Sequence, residues 1–268
     1  LADELTPDVP IEQITLTVNP AYRYGGKLTE EEQWTRFRQD TMEELVSYAI
    51  GCMMGRYSLN APGLILADSQ DNPEAHMAAY SEKVGKPMEA LKFQPDDDGI
   101  IPVLDDEWFE DDVVERFKVF LRAAFGNESL EENLRFLEEA IGKKIRKYFV
   151  NDFYKAHLQT YKKRPIYWLF QSPKKSFQAL VYLHRYDRDT VNRLLGDYLR
   201  PYQDKLRNRQ EQLTQAQISE SSSNAEKNRA IKEQEKNAKI LKELADWERD
   251  VIFPLAAQRL EIDLDDGV

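Results

Sequence analysis

Three sets of residues in this sequence could do chemistry. The first is Asn19-Pro20-Ala21-Tyr22, which follows the β-rich run Ile14-Thr15-Leu16-Thr17-Val18. An Asn side-chain oxygen and the carbonyl beside it can accept hydrogen bonds from an exocyclic amine, and an aromatic ring can stack on a base turned out of its helix. The second is the carboxylate set Asp96, Asp97, Asp98, Asp105, Asp106, Glu107, Glu110, Asp111 and Asp112, whose oxygens suit a divalent cation. The third is a run of cations across residues 143–209, which suits phosphates.

Each set also has an ordinary structural use. Asn-Pro-Ala-Tyr differs by one residue from the Asn-Pro-Pro-Tyr with which enzymes that methylate a base amino group hold their target. Such enzymes also need a domain for S-adenosylmethionine, with a glycine-rich strand-to-helix turn. No Gly-x-Gly occurs in the sequence, and fewer than twenty residues precede Asn19. A proline turn is therefore expected here, with no catalytic residue and no cofactor site in this chain. The carboxylates faintly echo a calcium loop around Gly99, but Gln94 stands where the first ligand belongs and Asp105 replaces the final Glu. Acids clustered at 105–112 fit a helix start, whose exposed N–H groups favour negative charge. Cys52 is the one cysteine, and His76, His157 and His184 are the only histidines. That excludes an intrachain disulfide and argues against a thiolate or histidine-rich metal site. His157 and His184 are expected to be hydrogen-bonded structural groups or to face phosphate. There is no nucleophile elbow, P-loop or His-Glu-x-x-His.

The chain of 268 residues carries a net charge of −11, which on average disfavours a nucleic-acid partner. The distribution reverses that. Residues 143–209 hold seventeen Lys and Arg against five Asp, a charge of +12 that leaves −23 on the remainder. Such segregation predicts a basic face beside acidic ones. Ser172-Pro173-Lys174-Lys175 places two of the lysines on a turn between β-rich runs, as in tetrapeptides of the same letters that enter minor grooves; a plain exposed turn is the alternative. No apolar run reaches the length of about 18 residues that a membrane helix needs, and the first four residues are acidic. A cytoplasmic chain without a membrane is expected. It starts without Met and ends at Asp265-Asp266-Gly267-Val268, which reads as a piece of a larger protein.

These groups must be positioned by mostly helical elements. A strand is expected at 14–18 and another at 63–67. Thr29 followed by Glu32 predicts a capped helix, with Trp34, Phe37, Met42, Leu45, Val46, Ala49, Ile50 and Met53 at helical spacing. Residues 106–126 and 129–163 read as amphipathic helices, the first stopped by Gly126. Residues 165–170 and 176–184 form a β-hairpin with a basic tip. Leu195, Leu199, Tyr202, Leu206, Arg209, Leu213 and Ala216 recur in steps of four and three, as do Ile231, Gln234, Ala238, Leu241, Ala245, Glu248, Ile252 and Leu255. Ser223 and Glu226 cap the second arm, and Pro201 and Pro254 should kink or end helices. The expected fold is α+β and predominantly α-helical: a small β-hairpin followed by a long antiparallel helical hairpin. Its expected parts are an acidic mixed lobe at 1–142, a basic helix and β-hairpin at 143–186, a helical spacer at 187–260 and a tail at 261–268.

The stretches LVSYAIGCMMGRYSLNAPGLILA, IIPVLDDEWFEDDVVERFKVFL and KKIRKYFVNDFYKAHLQTYKKRPIYWLFQSPKKSFQALVYLHRYDRDTVNRLL resemble the C-terminal half of the adenine-specific DNA methyltransferases of BREX phage-defence systems, the PglX family. The resemblance implies a parent enzyme that moves a methyl group from S-adenosylmethionine to an adenine in double-stranded DNA, with its catalytic and cofactor elements upstream of this segment. This part would then read or grip DNA. The expected phosphate contacts are Lys143, Lys144, Lys147, Lys162, Lys163, Arg164, Lys174, Lys175, Arg185, Arg188 and Arg193. The alternative is a scaffold that docks other defence-system proteins or a second copy.

Overall fold

The computed structural model describes residues 16–67, 73–162, 164–219 and 223–262. Lys163, the start of the strand expected at 14–18 and most of the expected tail lie outside the described residues. Residues 16–18 turn instead of extending, because the Asn19 amide bonds back to the Leu16 carbonyl at 2.9 Å. Helix α1 (Pro20–Tyr24) follows at once. Helix α2 (Glu30–Met53) begins at the reciprocal Thr29/Glu32 capping box and buries its far end, from Val46 to Met53, in the core. Residues 63–67 are not a strand. Ile65 and Leu66, both buried, bond instead to the carbonyls of Arg56 and Gly55, so neighbouring side chains point inward together and the alternation of a strand is lost.

Helix α3 (Pro73–Val84) leads to the short strand β1 (Ile100–Pro102). Helix α4 (Val113–Phe125) starts later than the amphipathic pattern suggested, because the Asp112 carboxylate caps the amides of Val114 and Glu115. Gly126 ends it. Helix α5 (Leu130–Ile141) stops at Gly142, whose left-handed backbone at φ 75° breaks the long helix expected through 129–163. Beyond it, α6 (Ile145–Tyr148) runs through a π-helical turn (Phe149–Phe153) into α7 (Tyr154–Thr160).

Strands β2 (Tyr167–Gln171) and β3 (Gln178–Tyr182) form the expected hairpin, and β1 adds on the other side of β3, both pairs antiparallel. Strand β3 is buried at all five positions, and its alternating side chains serve two cores. Leu180 and Tyr182 join Ile50, Met53, Phe117, Phe120 and Phe149 from the helical segments before β2. Ala179 and Val181 join Leu194, Leu199, Tyr202, Leu244 and Trp247 from the helices after it.

Those later helices are α8 (Thr190–Arg193), α9 (Arg200–Ile218), α10 (Asn224–Trp247) and α11 (Phe253–Gln258). Helices α9 and α10 are the antiparallel hairpin, and Ser223/Glu226 is a capping box as expected. Pro201 and Pro254 sit in the first turns of α9 and α11, each just after a π-helical turn (Leu194–Leu199 and Glu248–Ile252). The wider turn accommodates a residue that cannot donate an amide and so continues the rod where a stop was possible. On the first arm Tyr202, Leu206 and Leu213 face inward as the spacing predicted. On the second arm the inward row is Ala230, Asn237 and Leu244, one position earlier than the expected Ile231, Ala238 and Ala245. The rotation has two causes: Leu244 and Trp247 enter the core with Tyr202, and the Asn237 amide donates to the Leu206 carbonyl at 2.7 Å and to Gln210 Oε1 at 2.8 Å. The described residues are thus α+β with helix predominating, and no helix among them is long and apolar enough to cross a membrane.

Candidate nucleic-acid interface

Asn19 opens α1 as its N-cap: Oδ1 accepts the Ala21 amide at 3.0 Å, and Pro20 follows at the first helical position, where an amide would have no partner. The Asn19 side chain is buried and Tyr22 points to solvent. This is the geometry of a helix start.

The acidic set divides into two structural uses. Asp112 caps α4 and takes both guanidinium amines of Arg146, at 2.8 and 2.9 Å. Asp98 and Asp111 converge on the Tyr198 hydroxyl, which lies 3.2 Å from either Asp98 oxygen and 3.1 Å from Asp111 Oδ2. Burial, reinforced by the Asp96 carboxylate, pushes Asp98 up to about 8 and raises Asp111 as well. No group of three or more His, Cys, Asp or Glu among the described residues is placed to hold a metal ion. His157 is buried; its Nε2 accepts the Ile166 amide at 3.2 Å and the Tyr167 amide at 3.4 Å, and burial together with Arg56 lowers it to about 4. A neutral ring therefore anchors the entry to β2.

The cations of 143–209 divide sharply. Lys147, Lys162, Arg164, Lys174 and Lys175 are exposed and have no carboxylate partner among the described residues. Lys143 pairs with Asp152 at 2.8 Å, Lys144 with Glu138 at 2.6 Å, and Arg188 lies 4.0 Å from Glu261. Arg193 is tied to Asp187 at 2.6 Å and to Thr190. Arg185 corrects the expectation most clearly. Only 2 % exposed, it donates to the carbonyls of Met54, Asp96 and Asp97 and braces the turn before β1, so it is not on a surface that a phosphate could reach. Arg200, Arg207 and Arg209 are likewise paired, with Glu248, Asp204 and Glu233.

The tip of the β-hairpin is held rather than waving. Ser172 is buried, its hydroxyl accepts the Phe177 amide, and Lys175 closes the turn at φ 61°, a left-handed conformation. The Lys174 amide donates to Glu243 Oε1 on α10 at 2.6 Å. This bond brings Lys174 to one hollow with Lys239 and Lys242 of the second arm, both outside the basic strip read from the sequence. A partner some seventy residues away along the chain leaves no local signal; only the helical spacing of Lys232, Lys239 and Lys242 marks a shared face.

No protein-family model matches the chain. It is 42% identical, over an alignment of 276 residues, to the adenine-specific methyltransferase BrxX of Escherichia coli O9:H4 (strain HS), covering 96% of this chain and 22% of that one. It is 39% identical over 241 residues to the adenine-specific methyltransferase PglX of Lacticaseibacillus casei (strain Zhang), covering 85% of this chain and 18% of that one. The chain therefore spans about a fifth of the length of these curated relatives. The resemblance read from the sequence holds: this chain is homologous to part of the BrxX and PglX adenine-specific methyltransferases.

Proposed function

We propose that this chain is a non-catalytic DNA-gripping and spacer region, from the C-terminal part of a PglX-type enzyme that methylates adenine in double-stranded DNA. S-adenosylmethionine and the base-holding motif belong, in this reading, to the rest of that enzyme. The observation that carries the proposal is the segregation of charge: +12 on residues 143–209 in a chain of −11. Among the expected contacts, the pairing pattern narrows the grip to Lys147, Lys162, Arg164, Lys174 and Lys175, with Lys163 adjoining them in sequence and Lys155 equally exposed and without a carboxylate partner among the described residues. Lys143, Lys144, Arg188 and Arg193 contribute less, because each already has a carboxylate beside it, and Arg185 drops out. The segments 1–142, 143–186 and 187–260 act as lobe, grip and spacer.

Fluorescence-anisotropy titration of a duplex at rising salt tests this reading. Binding is expected to weaken linearly on a log–log plot, with a slope of about −0.9 per phosphate contact. Neutralising Lys162, Lys163 and Arg164 together should make the slope shallower by about 2 to 3. Salt-insensitive or absent binding, accompanied by a dimer or a captured defence-system subunit in light scattering, would instead favour the scaffold reading.

A further inference from the structure

We infer that the hollow between the β-hairpin tip and α10 is a phosphate cradle, in which Lys239 and Lys242 of the second arm complete a cationic rim with Lys174. The inference rests on the DNA-gripping reading and extends it to an element outside the basic segment. Pro173, Lys174, Lys239, Lys242 and Trp247 line a cavity of about 390 Å³ together with Glu243, Asp246, Asp250 and Val251. Its carboxylates are partly engaged, with Glu243 Oε2 left without a hydrogen-bond partner. Arg249 holds Asp246 at 3.0 Å and Asp250 at 2.7 Å, and Glu243 accepts the Lys174 amide. Lys174, Lys239 and Lys242 are exposed and have no carboxylate partner among the described residues. Counting Arg249, four cations stand against three carboxylates at this hollow, a net charge of +1.

Its chemistry points to a phosphodiester backbone. The rim cations are lysines, compact point charges that bind phosphate oxygens without requiring one fixed orientation. Lys239 and Lys242 are one helical turn apart on one face of α10, and Lys232 lies two turns from Lys239, about 10 Å along the axis. Glu243 is a positioning residue: it fixes the tip on the arm, and the arm then sets where Lys174 stands relative to Lys239 and Lys242.

The test titrates the chain with a duplex across a salt series. Lys239→Gln with Lys242→Gln should make the slope shallower by about 2, since each lost phosphate contact removes about 0.9. Glu243→Ala should speed hydrogen exchange of the Lys174 amide and weaken binding, whereas Glu243→Gln, which retains an acceptor oxygen, should restore both. If the double variant keeps the parent slope while neutralising Lys162 and Arg164 lowers it, the cradle is wrong and the broader grip stands. No salt-dependent binding by the unaltered chain would overturn both. Poly-glutamate binding that the double variant abolishes, with duplex binding unaffected, would assign the hollow to an acidic protein segment and overturn the cradle.

Discussion

The two faces of strand β3 meet two different kinds of packing. On the Leu180/Tyr182 face the core is built from large apolar side chains, Phe117, Phe120, Met53 and Phe149 among them, and its charged groups are fixed in pairs such as Arg146–Asp112. On the Ala179/Val181 face the same density persists only through the base of the helical hairpin, to Tyr202, Leu206, Leu244 and Trp247. Farther out, the two arms meet through Leu213 and Ala230 and otherwise through polar contacts: Gln217 to Gln234 at 2.7 Å, and Gln234 to Thr214 at 2.8 Å. Burial of apolar surface is the main stabilising term and hydrogen bonds exchanged with water add little net. The first region should therefore unfold only globally, and the far half of the hairpin should open on its own.

The largest test of that contrast is to break one ion pair in each region. Asp112 is 1 % exposed and both caps α4 and neutralises Arg146. Asp112→Ala strips the cap and leaves a half-buried guanidinium unpaired, a loss of about 3–5 kcal/mol in urea unfolding. Arg209 and Glu233 pair at 2.6 Å across the far hairpin, both partly in solvent. Arg209→Ala should cost less than about 1 kcal/mol. Equal costs would mean that the hairpin shares the core's stability.

A pH series sharpens the comparison, because the joint between the two regions holds a proton. The Tyr198 hydroxyl, on the π-helical turn before α9, has one hydrogen yet lies within 3.2 Å of carboxyl groups from two loops of the first region. The hydroxyl donates to these carboxyl groups, but one hydrogen cannot fully satisfy two buried like charges, which favours a proton on one of them. Asp98, raised to about 8 by burial and by Asp96, is that group. The surrounding charges are Asp96, Asp111, Arg116 and the guanidinium of Arg185. Because its folded value lies above its unfolded one, the stability it contributes is full below about pH 4, the ordinary carboxyl range, and is lost as pH rises through about 8. Unfolding free energy should fall over that window, and Asp98→Asn should flatten the decline. An unchanged slope in the variant would place the proton elsewhere.

What could be read from the sequence follows the same divide between local and distant causes. The capping boxes at Thr29/Glu32 and Ser223/Glu226, the stop at Gly126 and the hairpin of β2 and β3 depend on residues within a few positions of one another, and each was legible. Strand β1 was not. Its three residues are a strand only because Ile101 faces Leu180, nearly eighty positions later. Nor could composition separate Arg185, buried against three carbonyls, from Lys162 in solvent; the two differ only in what folds over them. The charge segregation was visible, whereas the bond from Lys174 to Glu243 that brings the tip to Lys239 and Lys242 was not.

A smaller and more local effect than that of Asp112 is expected from Asn237, the polar residue that fixes the second arm one position away from its apolar stripe. Buried between the arms, it bonds the Leu206 carbonyl and Gln210 Oε1. Asn237→Leu leaves no orphan of consequence: the Leu206 carbonyl lies inside α9, where the helical ladder supplies a donor, and Gln210 is half-exposed and can turn to water. A buried Asn in a helical seam specifies register at a cost in stability, so the swap should slow hydrogen exchange of hairpin amides around 206–240 by the equivalent of about 1 kcal/mol. Amides of β3 should be unchanged, since they open with the core. If they slow in step, the two faces of β3 belong to one cooperative unit and the hairpin cannot open without the sheet.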